Sequence, residues 1–121
     1  MTAAAYNVTD SQLDAQQIAM LRGLRNGTLL PQLFKLYQEQ TPQQLQKLQS
    51  AAEAQDAPQL VTLAHALKSA SYSIGAKYIG EVCATLETEA RQGQTLHGLA
   101  LCAQLHDLYA ALLPEMASLM P

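Results

Sequence analysis

A histidine, a lysine and a serine are spaced so that their side chains are neighbours on one face of a predicted helix. His65 is followed by Lys68 at i+3 and Ser69 at i+4. An exposed imidazole is mostly neutral at pH 7, as a nucleophile must be, and a nearby ammonium attracts negatively charged groups. Phosphoryl transfer onto nitrogen needs such a nucleophile in line, with positive charge near the phosphoryl oxygens. On this pair alone, a solvated helix face is the favoured interpretation, because an exposed histidine with a lysine at i+3 is common.

The apolar periodicity of this stretch directs His65 away from the core. The apolar side is formed by Leu60, Leu63, Ala64, Leu67, Ala70, Ser71 and Ile74. At about 100° per residue, His65 points roughly 160° away from the mean direction of that side. Val61 and Tyr72 lie on the His65 face as apolar side chains and are candidate anchors for a partner helix.

Five helical segments are predicted around this face. Apolar spacing and turn signals place them over about residues 10–24, 29–54, 57–74, 76–92 and 95–119. Asp56 and Pro58 mark the start of the third segment, because the carboxylate caps free N–H groups and proline has none to leave unpaired. Pro42 predicts a kink or restart in the second segment, with Thr41 as the cap of the restart.

The helical pattern predicts an all-α fold. Four long amphipathic helices joined by short turns favour an antiparallel four-helix bundle, with the short extra N-terminal helix across one end. A chain of 121 residues fits a single domain over residues 1–121. Because no apolar stripe is left over, we expect a monomer.

Composition and charge exclude several function classes. The net charge is −3 and the seven basic residues are dispersed, which argues against nucleic-acid binding. The two cysteines, Cys83 and Cys102, match no metal-binding spacing. No apolar run reaches the roughly 18 residues of a membrane span, and the N-terminus does not have the pattern of a signal peptide. We therefore expect a cytoplasmic protein without membrane association.

The segment around His65 resembles the signature of histidine-containing phosphotransfer (HPt) domains of multistep two-component phosphorelays. The matching features keep their spacing without a gap over residues 60–91: Ala64-His65, Leu67-Lys68, Ser71, Gly75-Ala76, Ile79, Cys83, Leu86-Glu87 and Ala90-Arg91. Ser69 departs from the pattern, since the family usually has glycine after the lysine. Serine is small enough to leave the imidazole accessible, and its hydroxyl would bond to the imidazole, to a phosphoryl oxygen or to the helix backbone.

This resemblance implies a phosphorelay intermediate. His65 would accept a phosphoryl group through Nε2 from a receiver-domain aspartate and pass it to another receiver domain, and Lys68 would steady the phosphoryl oxygens. Gly75 would close the histidine helix, and Arg91 and Glu87 would lie on the next helix near the histidine face. The partners would be response-regulator receiver domains and a hybrid sensor kinase. Mg²⁺ would be held by the receiver domain, so no cofactor or metal is expected in this chain.

Two residue pairs of the fourth segment have structural interpretations of their own. Glu87 and Arg91 form an i,i+4 pair, interpreted as a surface ion pair worth about 0.3–0.5 kcal/mol. Gly80 and Ala84 are small residues on the same side of the helix. They would form either a flat docking surface or a close helix contact.

No enzyme signature is found beside the histidine. The glycines match neither a phosphate-binding loop for ATP nor a dinucleotide fingerprint. We therefore expect a phosphoryl carrier, not a kinase or another enzyme. The alternative is a phosphorylation-independent helical protein-interaction module that uses the same face.

Overall fold

The computed structural model describes residues 11–120, and its regular structure is helical. The elements are α1 (Ala15–Arg22), a 3-10 turn (Arg25–Gly27), α2 (Leu29–Glu53), α3 (Ala57–Ser73), α4 (Lys77–Arg91) and α5 (Gly98–Ser118). Each of the predicted helices is present, with ends that differ from the prediction by up to five residues. Within the described residues, none of these helices combines the length and the apolar character needed to cross a membrane.

The four long helices pack as a closed bundle. Helix α2 contacts α3 and α5, and α4 contacts the same two helices. The connections are short, over residues 54–56, 74–76 and 92–97, so consecutive helices run antiparallel. The fully buried side chains of the interior include Phe34, Leu48, Leu60, Leu67, Ile79, Leu86, Leu105 and Leu112. Each such leucine contributes about 1.5–3 kcal/mol by its burial, and the predicted four-helix bundle is confirmed.

Of the kink or restart predicted at Pro42, the restart is wrong, because α2 continues through this residue. Thr41 does not cap a new helix; its hydroxyl is buried and donates to the Tyr37 carbonyl at 2.6 Å. Proline has no N–H to give to the carbonyl of Gln38, four residues earlier. The Tyr109 hydroxyl of α5 donates to that carbonyl at 3.3 Å instead. A neighbouring helix therefore satisfies the acceptor that Pro42 leaves free.

Helix α1 begins at Ala15, later than the predicted start at Asp10, a residue outside the described part of the chain. Asp14 is its N-cap, and the Asp14 carboxylate accepts from the backbone N–H of Gln16 at 2.9 Å. Since a carboxylate at this position satisfies N–H groups of the first turn, the helix start is fixed here.

The segment before α1 is extended because other elements bind its backbone. The N–H groups of Gln12 and Leu13 donate to the Glu115 carboxylate of α5 at 2.9 and 3.1 Å. Leu13 also forms an antiparallel bridge with Ala76, in the turn between α3 and α4. These contacts place α1 at one end of the bundle, as predicted, and this end is the one where α3 ends and α4 begins.

Helix α3 has a well-defined start and end. The Asp56 carboxylate accepts from the backbone N–H of Gln59 at 3.2 Å, which confirms the predicted N-cap. After Ser73, Gly75 adopts a φ of +80°, a conformation that favours glycine. The Gly75 N–H donates to the Tyr72 carbonyl and the Ala76 N–H to the Ser71 carbonyl, the hydrogen bonds of a Schellman motif. Gly75 therefore closes α3, as predicted.

Candidate functional site

His65 lies in the middle of α3 and its side chain is 57% exposed. The opposite side of α3 is buried, at Leu60, Ala64, Leu67 and Ser71. The Ser71 hydroxyl is within 2.8 Å of the Tyr37 hydroxyl of α2, so the polar atom on the buried side is satisfied. The predicted orientation of His65, away from the core, is confirmed.

The carboxylate of Glu87, on α4, contacts each of the basic side chains around His65 and links them into one cluster. His65 Nδ1 lies 3.1 Å from Glu87 Oε2, and Lys68 Nζ lies 2.8 Å from Oε1. Arg91 donates to Oε2 through Nη2 at 2.7 Å and through Nε at 3.1 Å. The Glu87 side chain is only 7% exposed. Glu87 and Arg91 form the predicted ion pair, but its predicted position at the surface is wrong for Glu87. The packing of α3 against α4 buries this carboxylate under Lys68 and His65.

The surroundings of Glu87 keep its carboxylate ionised. Contact with the Lys68 ammonium lowers the pKa of Glu87 from 4.5 to about 2, and hydrogen bonds from Arg91 and His65 act in the same direction. Burial of the carboxyl opposes these contacts but is outweighed. At neutral pH the group is an anion that accepts hydrogen bonds and donates none.

This anion determines how the imidazole of His65 can bond. Because the carboxylate only accepts, the 3.1 Å contact assigns the proton of the neutral ring to Nδ1. The lone pair that can act as a nucleophile then lies on Nε2, and the side chain that carries it is more than half exposed. The arrangement supplies a nucleophilic nitrogen whose orientation is fixed through the other nitrogen of the ring.

Comparison of the chain with models of known protein families gave a match. The model of the family described as "Hpt domain" matches residues 32–115, which are 84 of the 121 residues. The chain belongs to the Hpt family. Hpt domains are phosphocarriers of phosphorelays that act with receiver domains of response regulators, and they are not kinases. The comparisons with curated proteins and with solved structures gave no match.

Lys68 of this Hpt domain is placed beside His65, although it is not a free ammonium. Its side chain is 27% exposed and its ammonium contacts the same carboxylate as the imidazole. Ser69 is exposed on the same face, and its carbonyl accepts from the Ser73 hydroxyl at 2.9 Å. His65, Lys68 and Ser69 thus share one face of α3, as predicted from helical spacing.

The small residues of α4 serve close packing in this Hpt domain. A Cβ atom at Gly80 would lie 2.4 Å from a ring carbon of Tyr72, so the tyrosine ring rests on the glycine. Gly80 is buried and Ala84 is half-buried, while Tyr72 remains 42% exposed and Val61 is half-buried. Of the two interpretations of Gly80, the structure favours the close helix contact.

The other two histidines of the Hpt domain make contacts of their own. His97 Nδ1 lies 3.0 Å from Glu89 Oε1, and His106 Nδ1 lies 2.9 Å from the Cys102 carbonyl. Over residues 11–120, no group of three His, Cys, Asp or Glu side chains is arranged to hold a metal ion. Burial raises the pKa of the Cys83 thiol to about 12, so this cysteine stays protonated in the core.

Proposed function

We propose that this Hpt domain accepts a phosphoryl group on Nε2 of His65 from a receiver-domain aspartate and passes it to another receiver domain. The observation that carries the proposal is the contact between Glu87 Oε2 and His65 Nδ1 at 3.1 Å. It holds the ring with the Nε2 lone pair available, on the exposed face of a rigid helix. Family membership supports a role in histidine phosphotransfer, and the geometry favours His65 among the three histidines.

Glu87 stabilises the charge that develops during this transfer. The bond between Nε2 and phosphorus forms as the bond between phosphorus and the aspartyl oxygen breaks, and the aspartate leaves as a carboxylate. Because the Nδ1 proton stays in place, the imidazole ring becomes positively charged. The ionised Glu87 accepts the hydrogen bond from Nδ1 and stabilises the charged ring before and during the step. Transfer to the second receiver reverses the same bond changes.

Lys68 and Ser69 complete the acceptor side of the site. The Lys68 ammonium is adjacent to the imidazole and would hold the phosphoryl oxygens, which need positive charge in the transition state. Ser69 is small and leaves the imidazole open to the donor. We assign the Mg²⁺ of the reaction to the partner receiver domain, so this chain contributes a nucleophile and a cation to a site completed by its partner.

The partners in this proposal are response-regulator receiver domains and a hybrid sensor kinase, met in the cytoplasm by a monomeric Hpt domain. Val61 and Tyr72 flank the histidine and would contact the receiver. Tyr72 supplies an exposed aromatic surface held in place by Gly80. Aromatic side chains of this kind frequently anchor protein interfaces.

Phosphoryl transfer from a ³²P-labelled receiver domain in the presence of Mg²⁺ tests the proposal. We expect an acid-labile, base-stable label on the native chain and none on the His65→Gln variant, with unchanged far-UV circular dichroism. The matched control is His106→Gln, which alters another exposed histidine and should retain the label.

Two outcomes would contradict the proposal. Label on the folded His65→Gln variant would assign the phosphoryl group to another residue. A folded native chain that takes no label from several receivers, yet binds them equally well with and without His65, would be a phosphorylation-independent interaction module.

A further inference from the structure

The two oxygens of Glu87 have different cationic partners, and this division points to an exchange during phosphorylation. We propose that Lys68 leaves Glu87 for the phosphoryl group on His65, while Arg91 stays on Glu87 and makes the departure possible. Arg91 is thus a positioning residue that acts through Glu87 and Lys68. This inference rests on the proposed function of His65.

Lys68 is the more easily released of the two cations. Its Nζ contacts the carboxylate through one oxygen, Glu87 Oε1, at 2.8 Å. Arg91, in contrast, directs two N–H groups at Oε2, at 2.7 and 3.1 Å. A lysine is a point charge on a flexible stem, whereas the planar guanidinium of arginine is fixed by paired hydrogen bonds. The contacts therefore favour movement of Lys68 and retention of Arg91.

Burial of Glu87 explains why Arg91 is required. The carboxylate is 7% exposed, and a buried anion that loses its cation is strongly unfavourable. With Arg91 in place, a cation and the Nδ1–H of His65 remain on Oε2 after Lys68 departs. Without Arg91, Lys68 would be the only lysine or arginine side chain on the carboxylate and would be held on Glu87. The phosphoryl group would then compete with a buried carboxylate for one ammonium.

Arg91 is 58% exposed, so a direct contact with the phosphoryl group is the competing explanation. The two explanations differ in their dependence on Lys68. If Arg91 acts by releasing Lys68, its effect must vanish when Lys68 is removed. If Arg91 touches the phosphoryl group or only supports the fold, its effect must persist.

The test is a double-mutant cycle on the equilibrium of phosphoryl transfer from a labelled receiver domain, measured with donor in excess. In the native background, we expect Arg91→Gln to lower the ratio of phosphorylated to unphosphorylated Hpt domain by about tenfold, a typical coupling between linked sites. In the Lys68→Ala background, Arg91→Gln should cause no further decrease. Arg91→Lys, which keeps a cation on Glu87, should recover most of the ratio.

A second measurement is needed if the Lys68→Ala variant accepts too little phosphoryl group for its equilibrium to be measured. In ¹⁵N-lysine spectra, the Lys68 ammonium signal should change on phosphorylation of the native chain and change much less in Arg91→Gln. A tenfold effect that persists without Lys68, or an Arg91→Gln variant that behaves as the native chain, overturns the inference while leaving the proposed function in place. A native chain that takes no label overturns both.

Discussion

At the scale of single residues, Glu87 connects the two helices of the site. Its carboxylate contacts the side chains of His65 and Lys68 on α3 and of Arg91 on its own helix, α4. The result is an ionised, nearly buried carboxylate that holds Nδ1 of an exposed imidazole. The reactivity proposed for His65 therefore depends on a residue one helix away.

The lowered pKa of Glu87 predicts a pH-dependent contribution to stability. The pKa is 4.5 in the unfolded chain and about 2 in the folded chain, so the contribution is present above pH 4.5 and lost as the pH falls toward 2. We expect Glu87→Gln to reduce the free energy of unfolding by about 2–3 kcal/mol at pH 7. Urea unfolding followed by circular dichroism, at several pH values from 7 to 2.5, measures the difference from the native chain.

The difference between Glu87→Gln and the native chain should shrink steadily below pH 5. The matched control is Glu39→Gln, which alters an exposed carboxylate of α2 and should change stability little at any of these pH values. A Glu87→Gln difference that stays constant from pH 7 to pH 2.5 would show that the ion contacts of Glu87 contribute nothing to the folded state.

The sequence predicts part of this site. Helical spacing alone orients His65 and places Lys68 and Ser69 beside it, because these relations are local. The burial of Glu87 depends on how α3 packs against α4, which periodicity within one helix does not reveal. The i,i+4 spacing of Glu87 and Arg91 is the same whether the carboxylate is exposed or buried. The burial of Glu87 was therefore not predicted.

At the scale of elements, the turn between α3 and α4 sets the alignment of the two helices that carry the site. Gly75 adopts a φ of +80° there, and a Cβ atom at this position would lie 3.4 Å from Asp14 N and from Gln17 Cβ. The turn is thus constrained both by its own backbone and by the segment before α1. Movement of this turn would shift His65 relative to Glu87.

Substitution of Gly75 should therefore be more harmful than substitution of a comparable open glycine. Gly93 follows α4 with a φ of +76°, and a Cβ atom there would meet nothing within 4 Å. We expect Gly93→Ala to destabilise the fold by about 1 kcal/mol, the cost of a left-handed conformation for alanine. Gly75→Ala should cost about 1 kcal/mol more, because the hydrogen bond from the Asp14 N–H to the Gly75 carbonyl at 2.8 Å holds the turn and prevents the strained backbone from relaxing.

Thermal and urea unfolding of Gly75→Ala and Gly93→Ala provide the comparison. Equal losses of stability in the two variants would show that the contacts with Asp14 and Gln17 do not restrain the turn. Phosphoryl transfer by Gly93→Ala should match that of the native chain, since this glycine lies outside the site.

Most element boundaries were predictable because their signals are local. Asp56 caps α3 and Gly75 closes it, as expected from the residue types alone. The restart predicted at Pro42 does not occur, since the Gln38 carbonyl accepts from the Tyr109 hydroxyl, which lies 71 residues later in the chain. Such long-range compensation leaves no local pattern.

At the scale of the whole molecule, the segment before α1 is bound to the last helix, α5, at one end of the bundle. Glu115 of α5 accepts from the Ser11 hydroxyl at 2.6 Å and from the N–H groups of Gln12 and Leu13. These contacts also explain why the start of α1 was not predicted: the backbone of residues 12–14 is bound to α5 and to the turn after α3, which prevents it from joining the helix.

Removal of the Glu115 carboxylate should release this segment. We expect Glu115→Ala to lower the free energy of unfolding by about 1–3 kcal/mol, since it leaves partly buried N–H groups without an acceptor. Hydrogen exchange at the amides of Gln12 and Leu13 should accelerate, while amides within α3 and α4 keep their relative protection. Glu53→Ala, which removes an exposed carboxylate of α2, is the control.

Faster exchange throughout the bundle, or unchanged exchange at residues 12 and 13, would argue against the Glu115 contacts as a local tether.

The bundle itself was predicted in full from its four amphipathic helices. The attachment of α1 was not, because it depends on contacts between residues about 100 positions apart.

The most direct test of the account is the identity of the phosphorylated nitrogen. Long-range ¹H–¹⁵N correlation spectra of the ¹⁵N-histidine-labelled chain, recorded after phosphorylation by a receiver domain, distinguish the two nitrogens of each of the three histidines. We expect one modified ring, His65, with phosphorus on Nε2 and the proton retained on Nδ1 beside Glu87. Phosphorus on Nδ1 of His65, or on His97 or His106, would contradict it.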